Sequence, residues 1–476
     1  MQNYKAISIK PSISFINTLL FEERLDAKYY SNFNLALMNK LIDSNLEIKP
    51  LGELSSKITQ GPNPNFLKDK TGVPCLRTRN VYDEYITLEG ANFVSKTEYE
   101  KLKRFKIQYG DILVAILGEG SIGKSNIFTL NDEAIFNRPI GLVRIKGSKT
   151  DPFYVSTYLR SYYGKKILER GISGSSGQLV LGIEYLKVVP VPLPEMKIQT
   201  YIGDKIRMAE KLRSEAKLLN QQCIEIFNET IKFNMDFIDS DFSISFDDYK
   251  TLSSKPSIIY TTKNFGMKIS PQYYHPRRVY LLEQLRKLPL ELLKLTDLAK
   301  RISGKSKVNS LRYVGPDCID NTFGHLSPVE VDVSSNTVKA QIEDILFCRL
   351  RPNLNNVTIC DNEEVQASAE FLQYRANDKF KYVYYLFFVL RQPTTLYQIV
   401  DTAIGDRPRV DEDLVDELLI PIIEEGKMSD INAKIKNMYA NLRLSESLIS
   451  EAKQDIVDII EGKFDNSKIS KIAEGE

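Results

Sequence analysis

Three sets of side chains in this 476-residue chain have the types and spacing to do chemistry, and all three point to phosphates or bases. Gly118–Ser125, read as GEGSIGKS, satisfies the GxxxxGK[ST] pattern of a P-loop. In such a loop backbone N–H groups and the lysine cradle phosphates. Between 57 and 79 lie five cations (Lys57, Lys68, Lys70, Arg77, Arg79) and one acid, Asp69, interleaved with Gln60, Asn63, Asn65, Thr78 and Asn80. Between 300 and 312 lie Lys300, Arg301, Lys305, Lys307 and Arg312, with Asn309 among them and no acid. Phosphate anchoring needs Lys and Arg, whereas base discrimination needs Arg, Asn or Gln with paired donors and acceptors. The loop GISGSSGQ contributes Ser175, Ser176 and Gln178, and AIGDRPR contributes Arg407 and Arg409. Lys124 and the stretch with Arg349, Arg351 and Asn353 complete the candidates for contact with DNA.

A functional P-loop must open a helix whose N-terminus faces the phosphates. SNIFTLNDE, which follows Lys124, is instead β-branched and turn-like, so a hairpin between two strands is expected there. A nucleotide-hydrolysing enzyme using Gly118–Ser125 is the main alternative reading. Two histidines, His275 and His325, leave little room for His-based triads or metal sites. Five scattered cysteines without a CxxC pair suit free thiols in a reducing cytoplasm, and no zinc site. No methyltransferase or HExxH motif is present, and no catalytic residue or bound metal is expected. The N-terminus lacks the apolar run of a signal peptide, and no stretch approaches the ~18 apolar residues of a membrane span. The net charge of +2 does not by itself announce nucleic-acid binding, so local patches carry that reading.

What must position these side chains is a duplicated fold. RLDAKYYSNFNLALMNKL (24–41) resembles ISPQYYHPRRVYLLEQLRKL (269–288), and LGELSSKI (51–58) matches LTDLAKRI (295–302). GDILVAIL (110–117) matches EDILFCRL (343–350), and VPVPLP (189–194) matches LIPII (419–423). Four matches in unchanged order make chance an unattractive explanation. Each half reads as a short amphipathic helix, with Leu35, Met38, Leu41 and Ile42 or Leu281, Leu282, Leu285 and Leu288 as its stripe. Short strands and loops follow, then a buried tyrosine-rich helix, a Pro-punctuated strand and a long helix. By this alignment the two basic patches occupy corresponding places. The point matching the Gly-Lys hairpin is Arg349–Asn356, without glycine or lysine, as expected of a turn free to vary.

The long helices carry heptad seams. Ile198, Ile202, Ile206, Ala209, Leu212, Ala216, Leu219, Cys223 and Ile226 recur at steps of three and four. Ile431, Ile435, Met438, Leu442, Ser445, Ile449, Ala452, Ile456 and Ile459 do the same. Two matched seams in one chain are expected to pack on each other. A coiled-coil scaffold without a DNA role would share this feature. The expected divisions are 1–194, a first domain with its leading helix; 195–234, a long helix; 235–268, an Asp-rich linker; 269–423, the second domain; 424–464, the second long helix; and 465–476, a polar tail.

The sequence resembles the specificity subunits of type I restriction–modification systems over nearly its whole length. The resemblance is carried by LGEL (51–54), QGPNPN (60–65), VPCLRTRNV (73–81), GDILVAILGEGSIGKSNI (110–127), FNRPIGLVRI (136–145) and GSSGQLVLGIEYLKVVPVPLPEMKIQTYIGDKI (174–206). The second half keeps DILF, the Ile-Pro step and the helix, but departs at the hairpin and has no Gln matching Gln199. The resemblance implies an α+β chain of two mixed α/β target recognition domains, separated by two long antiparallel coiled-coil-like helices. Each domain would read one half of a split double-stranded DNA site. The helices would act as a spacer and dock modification subunits, two of them, that methylate adenine. A further subunit would carry translocation and cleavage. SAM, ATP and Mg²⁺ would then belong to the partners, and this cytoplasmic chain would hold no cofactor.

Overall fold

The structure, a computed structural model, describes residues 27–69, 71–118, 120–147, 149–174, 179–232, 271–304, 311–331, 337–403 and 405–469. The expected linker at 235–268 lies outside them. Two compact units emerge, one using the chain up to Arg213 and from Arg443 onward, the other Ser214–Leu442. Each unit therefore takes one half of the duplication and a stretch of both long helices.

The first unit opens with the helix Asn32–Ile42, whose N-terminus is capped by Ser31 accepting from the Asn34 N–H. Its inward face is Asn34, Leu37 and Leu41, one step round from the expected stripe. Ile42 points outward at 64% exposure. Eleven strands follow: β1 (Glu47–Pro50), β2 (Ser55–Gln60), β3 (Val73–Leu76), β4 (Asn92–Val94), β5 (Ile112–Ala115), β6 (Ser125–Ile127), β7 (Ile135–Phe136), β8 (Ile140–Ile145), β9 (Ile172–Ser173), β10 (Val180–Leu181) and β11 (Pro190–Leu193). They form an antiparallel sheet β2-β8-β5-β6, a sheet β4-β3-β7 with β3 and β7 parallel, and the pairs β1-β11 and β9-β10. The apolar run of β5 is buried throughout, because alternate side chains feed opposite faces of the sheet. Ile112 and Val114 join the core that includes Phe153, Tyr154 and Tyr158. Leu113 joins Phe105, Phe136 and Leu142 on the other side.

The expected single tyrosine-rich helix is two, Pro152–Arg160 and Tyr162–Arg170. Ser161 is extended and its hydroxyl accepts from the Gly164 N–H, so it caps the second helix while ending the first. Tyr154 and Tyr158 each donate 2.7 Å hydrogen bonds to the carbonyls of Pro192 and Pro190 in β11.

The second unit has a leading helix, Pro276–Lys287, with Leu281 and Leu285 fully buried. Its strands are β12 (Glu291–Lys294), β13 (Ala299–Ile302), β14 (Tyr313–Val314), β15 (Thr337–Ala340), β16 (Ile345–Cys348), β17 (Val357–Ile359), β18 (Val365–Ser368), β19 (Phe371–Ala376) and β20 (Leu419–Ile422). The antiparallel sheet β13-β19-β16-β17 repeats β2-β8-β5-β6, and β12-β20 repeats β1-β11. Alternation in β16 repeats too: Ile345 and Phe347 face one core, Leu346 and Cys348 another. Tyr385, on the helix Val383–Leu390, donates to the Pro421 carbonyl at 2.6 Å, as Tyr154 does to Pro192. The small sheet differs. Parallel β14-β18 matches β3-β7, but its third strand, β15, adds to β18, whereas β4 adds to β3.

The long helices, Met196–Ile231 and Glu425–Ile460, hold 36 residues each, about 54 Å at ~1.5 Å per residue. Every residue of the expected second seam is buried, and the first is buried from Ile202 to Ala216 and at Cys223. In the first unit Lys205 reaches Glu451 at 3.1 Å and Asp455 at 2.7 Å. In the second, Glu215 meets Asn441, Cys223 meets the Ile431 carbonyl and Thr230 meets Lys427. Rising numbers on one helix meet falling numbers on the other, so within each unit the pairing is antiparallel. The seams also join the domain cores, so the pair and its domain pack as one body within each unit. The start of the expected polar tail is docked: Lys468 holds Asp455 at 2.7 Å, and Ile469 packs on the core next to Phe464 just before the tail. Residues 470–476 lie outside the described set. Among the described residues, no helix is long and apolar enough to cross a membrane.

Candidate nucleic-acid interface

Strand registers assign the loops of each large sheet to one of two ends. In the first unit Gln60 pairs with Gly141, Ala115 with Ile140 and Val114 with Ser125. Those residues therefore share one end, and Ile145 and Ile112 lie toward the other. The second end is a structural anchor. Buried Asp111 accepts the Gln108 N–H and two donors of Arg144, at 2.7 and 2.6 Å. Asp344 does the same with the Gln341 N–H and Arg375. A buried carboxylate needs such company, since burying an ion unpaired is costly.

The first end is a hub of loop backbones around the turn Asn137–Pro139. The Asn137 N–H donates to the Leu76 carbonyl, the Gly61 N–H to Ile140, and the Ile116 N–H to Pro139. The Leu181 N–H donates to the Ile116 carbonyl, and Leu117 bridges to Val180. Gln60 closes the set by donating to the Arg138 carbonyl at 3.0 Å. Gly61 is required here because a Cβ would come 2.3 Å from the Asn137 carbonyl oxygen. The sequence segments QGPNPN, LRTRN, VAIL, FNRPIG and LVL (179–181), distant in the chain, thus meet at one place.

Of the candidates in the first unit, Asn63, Asn65 and Lys68 are exposed on the loop leaving this hub, and Arg77 is exposed beside Leu76. Arg79 is exposed, with a guanidinium nitrogen donating to the Gly90 carbonyl and to Asn92. Asn80 must be withdrawn. It is fully buried, accepting from the Arg77 N–H and donating to the Glu89 carbonyl at 2.9 Å each, and so fastens the 3-10 turn Thr78–Asn80. Lys57 lies toward the anchor end and donates to the Arg104 carbonyl. Burial, with Arg144 close by, holds its pKa below the usual lysine range. Arg138 was missed from sequence. It is exposed at the centre of the hub turn, and a cation between Asn and Pro, just after a buried strand, was the available signal.

The P-loop match is a hairpin. β6 begins at Ser125, where the motif would need a helix, and the turn is built on left-handed glycines with φ of 108° at Gly118, 73° at Gly120 and 87° at Gly123. Lys124 sits 6.0 Å from the Tyr82 ring, and Tyr82 stacks on Tyr85. Ser175, Ser176 and Gln178 lie outside the described residues, as do Lys305, Lys307 and Asn309.

The second unit repeats the hub around Ser368–Glu370. The Arg349 N–H donates to the Glu370 carbonyl, the Val410 N–H to Arg349, and Leu350 bridges to Arg409. The Arg351 N–H donates to the Pro408 carbonyl, which joins the two candidate loops. Arg351, Asn353 and Arg407 are exposed, and no described residue pairs with the Arg351 or Arg407 side chain. Arg349 contacts Glu412 at 2.8 Å, and Glu370 at 3.7 Å. Arg409 holds Glu370 through two hydrogen bonds, which keep the Glu370 carboxyl below its usual range. Arg312 lies at the start of β14, away from the hub, and is paired with Glu363.

The recurrence of the basic patches is corrected in part. The 3-10 turn Pro316–Cys318 repeats Thr78–Asn80, with the Cys318 sulfur accepting the Gly315 N–H as Asn80 accepts that of Arg77. Arg77 and Arg79 therefore correspond to Gly315 and Asp317, which carry no positive charge. An arginine, buried in the first unit and half-buried in the second, braces the loop after each turn. Arg160 donates to the Asp83 carbonyl at 2.9 Å, and Arg391 to those of Asn321, Asn355 and Val357.

Residues 43–226 match the type I restriction modification DNA specificity domain. A putative type I restriction enzyme MjaX specificity subunit from Methanocaldococcus jannaschii is 26% identical over 193 residues, 40% of this chain and 44% of that protein. The MjaVIII specificity subunit of the same organism is 27% identical over 146 residues, 30% of this chain and 34% of that one. The chain thus spans less than half the length of these relatives. The solved S subunit of a type I restriction-modification system from M. genitalium aligns over 89% of this chain and 97% of its own, at 12% identity and a TM-score of 0.42. Residues 43–226, which hold the whole first hub, are thus similar to the type I restriction modification DNA specificity domain.

Proposed function

We propose that the chain is the DNA-reading, non-catalytic subunit of a type I restriction–modification complex, each unit reading one part of a bipartite site. The observation that carries this reading is the repeated hub. The same backbone web gathers loops in both units, while the exposed side chains on those loops differ. That is what two readers of unlike sequence on one scaffold require. The polar and cationic side chains are of the types that contact phosphates and base edges. In this reading the paired helices dock two adenine methyltransferase subunits, and a separate subunit translocates and cuts. SAM, ATP and Mg²⁺ then belong to those partners, in the cytoplasm. Two half-site readers on one chain gain affinity from effective concentration, so each can be weak alone. Replacing residues 50–194 with the equivalent domain of a relative tests the reading. One part of the methylated site should change and the other should stay; loss of both parts, or change in neither, contradicts it.

A further inference from the structure

In the first unit the three hub positions are Ile116, Pro139 and Val180. In the second unit, the same backbone bonds are made by Arg349, Glu370 and Arg409. The frame therefore does not need charge, since an apolar trio builds it equally well. Nor is stability a sufficient reason for the ions, because exposed ion pairs contribute little to it. Arg409 and Glu370 keep 43% and 25% side-chain exposure.

The geometry of the pair is informative. The Glu370 carboxylate takes one edge of the Arg409 guanidinium, Nε at 3.0 Å and Nη2 at 2.5 Å. A guanidinium has five N–H donors in a planar fork, so the edge formed by Nη1 and Nη2 keeps donors for a second planar acceptor. Arg349 flanks the same carboxylate at 3.7 Å and is itself held by Glu412. The Glu370 backbone is fixed in turn by its N–H to the Ser368 hydroxyl and by its carbonyl to the Arg349 N–H. An arginine oriented this way is suited to the side-by-side O6 and N7 acceptors of guanine in the major groove. Arg351 and Arg407, exposed on the neighbouring loops without a described partner, are of the type that anchors phosphates.

We propose that Arg409 reads a guanine in the part of the site recognised by the second unit, with Glu370 as the residue that positions it. This inference rests on the DNA-reading function proposed above. It also accounts for the apolar trio of the first unit, where the exposed Val180 in the place of Arg409 cannot donate to guanine.

The test uses the full chain assembled with its methyltransferase partner and duplexes varied at every position of the recognised site. Arg409→Ala and Arg409→Lys should each lose about 5- to 150-fold of discrimination at one G·C pair, the range of a bidentate contact, with other positions unchanged. Glu370→Gln should weaken discrimination at that same pair and leave the melting temperature and the first half-site as they were. A role confined to structure would not move the preference at a single base pair. Arg407→Ala should instead lower binding to all sequences and reduce the salt slope by about one. An Arg409→Ala profile identical to the wild type, or loss spread evenly over all positions, would overturn the assignment. A wild-type chain without any sequence preference would overturn the DNA-reading function itself, which is a separate result.

Discussion

The two units agree where side chains point inward and disagree where they point out. Asp111 with Arg144 is repeated as Asp344 with Arg375, Arg160 as Arg391, and Tyr154 as Tyr385. At the hubs, Ile116, Pro139 and Val180 give way to Arg349, Glu370 and Arg409, and the Arg77 turn gives way to a Gly315 turn. A duplicated fold keeps the groups that satisfy buried donors and acceptors, because losing one partner leaves the other desolvated and alone. Exposed positions on the same frame carry no such penalty and are free to be rewritten. The comparison teaches that exposed difference on a shared frame, more than positive charge as such, marks the surface we propose reads DNA.

If the inner network is what the units share, damage to it should be equally severe in both. Arg144→Ala and Arg375→Ala each leave a buried aspartate without its cation, at a cost of about 3–5 kcal/mol. Hydrogen exchange should localise the loss to the strands of the affected unit. A large loss in one and none in the other would break the equivalence.

A smaller effect belongs to the first unit alone. Lys453 is pushed down from 10.5 to about 8, chiefly by burial and then by Arg160, with Lys165 adding to the effect and Glu84 and Asp83 opposing it. The folded chain loses this proton near pH 8, whereas the unfolded chain keeps it to 10.5, so stability should rise with pH between those values. Lys453→Met should stabilise the protein below pH 8 by up to roughly 3 kcal/mol. Denaturation at several pH values should show that advantage fading toward pH 10.5.

Much of this was legible in the sequence. The seams from Ile202 and from Ile431 were readable because heptad spacing survives any loop change, and the hairpin at Gly118–Ser125 because the residues after it favour a strand. The anchors and hubs were not. Asn80 looks like a base reader in a basic stretch, and only the 3-10 turn shows its amide directed at the Arg77 N–H and the Glu89 carbonyl. Glu370 was invisible because it acts from a turn brought into place by long-range pairing, and Arg138 carried only the signal of a cation between Asn and Pro after a buried strand. The break at Ser161 was hidden because Tyr, Leu and Ile continue the helical pattern across it, while the capping hydroxyl is a single atom.

Helix capping offers a finer contrast. Asp151 caps the helix Pro152–Arg160 at the Phe153 N–H, and Gly203 of the first long helix leaves room for it: a Cβ there would meet Asp151 at 2.6 Å. In the second unit the long helix itself supplies the cap, Asn432 accepting from the Tyr384 and Tyr385 N–H groups. Asn432→Ala should cost about 1 kcal/mol. Gly203→Ala should also destabilise, through crowding of Asp151, as thermal unfolding would show. The least effect is expected at Lys124. Lys124→Ala should change stability by less than about 0.5 kcal/mol and leave ATP affinity unchanged in calorimetry, since the turn is a hairpin. Tight Lys124-dependent nucleotide binding would contradict that.

The most direct measurement is the exchange of residues 50–194 for the equivalent domain of a relative, with methylated positions mapped across a genome. One component of the bipartite site should be replaced while the other persists unchanged. If both components are lost together, or neither changes, the two units are not independent readers and the account fails.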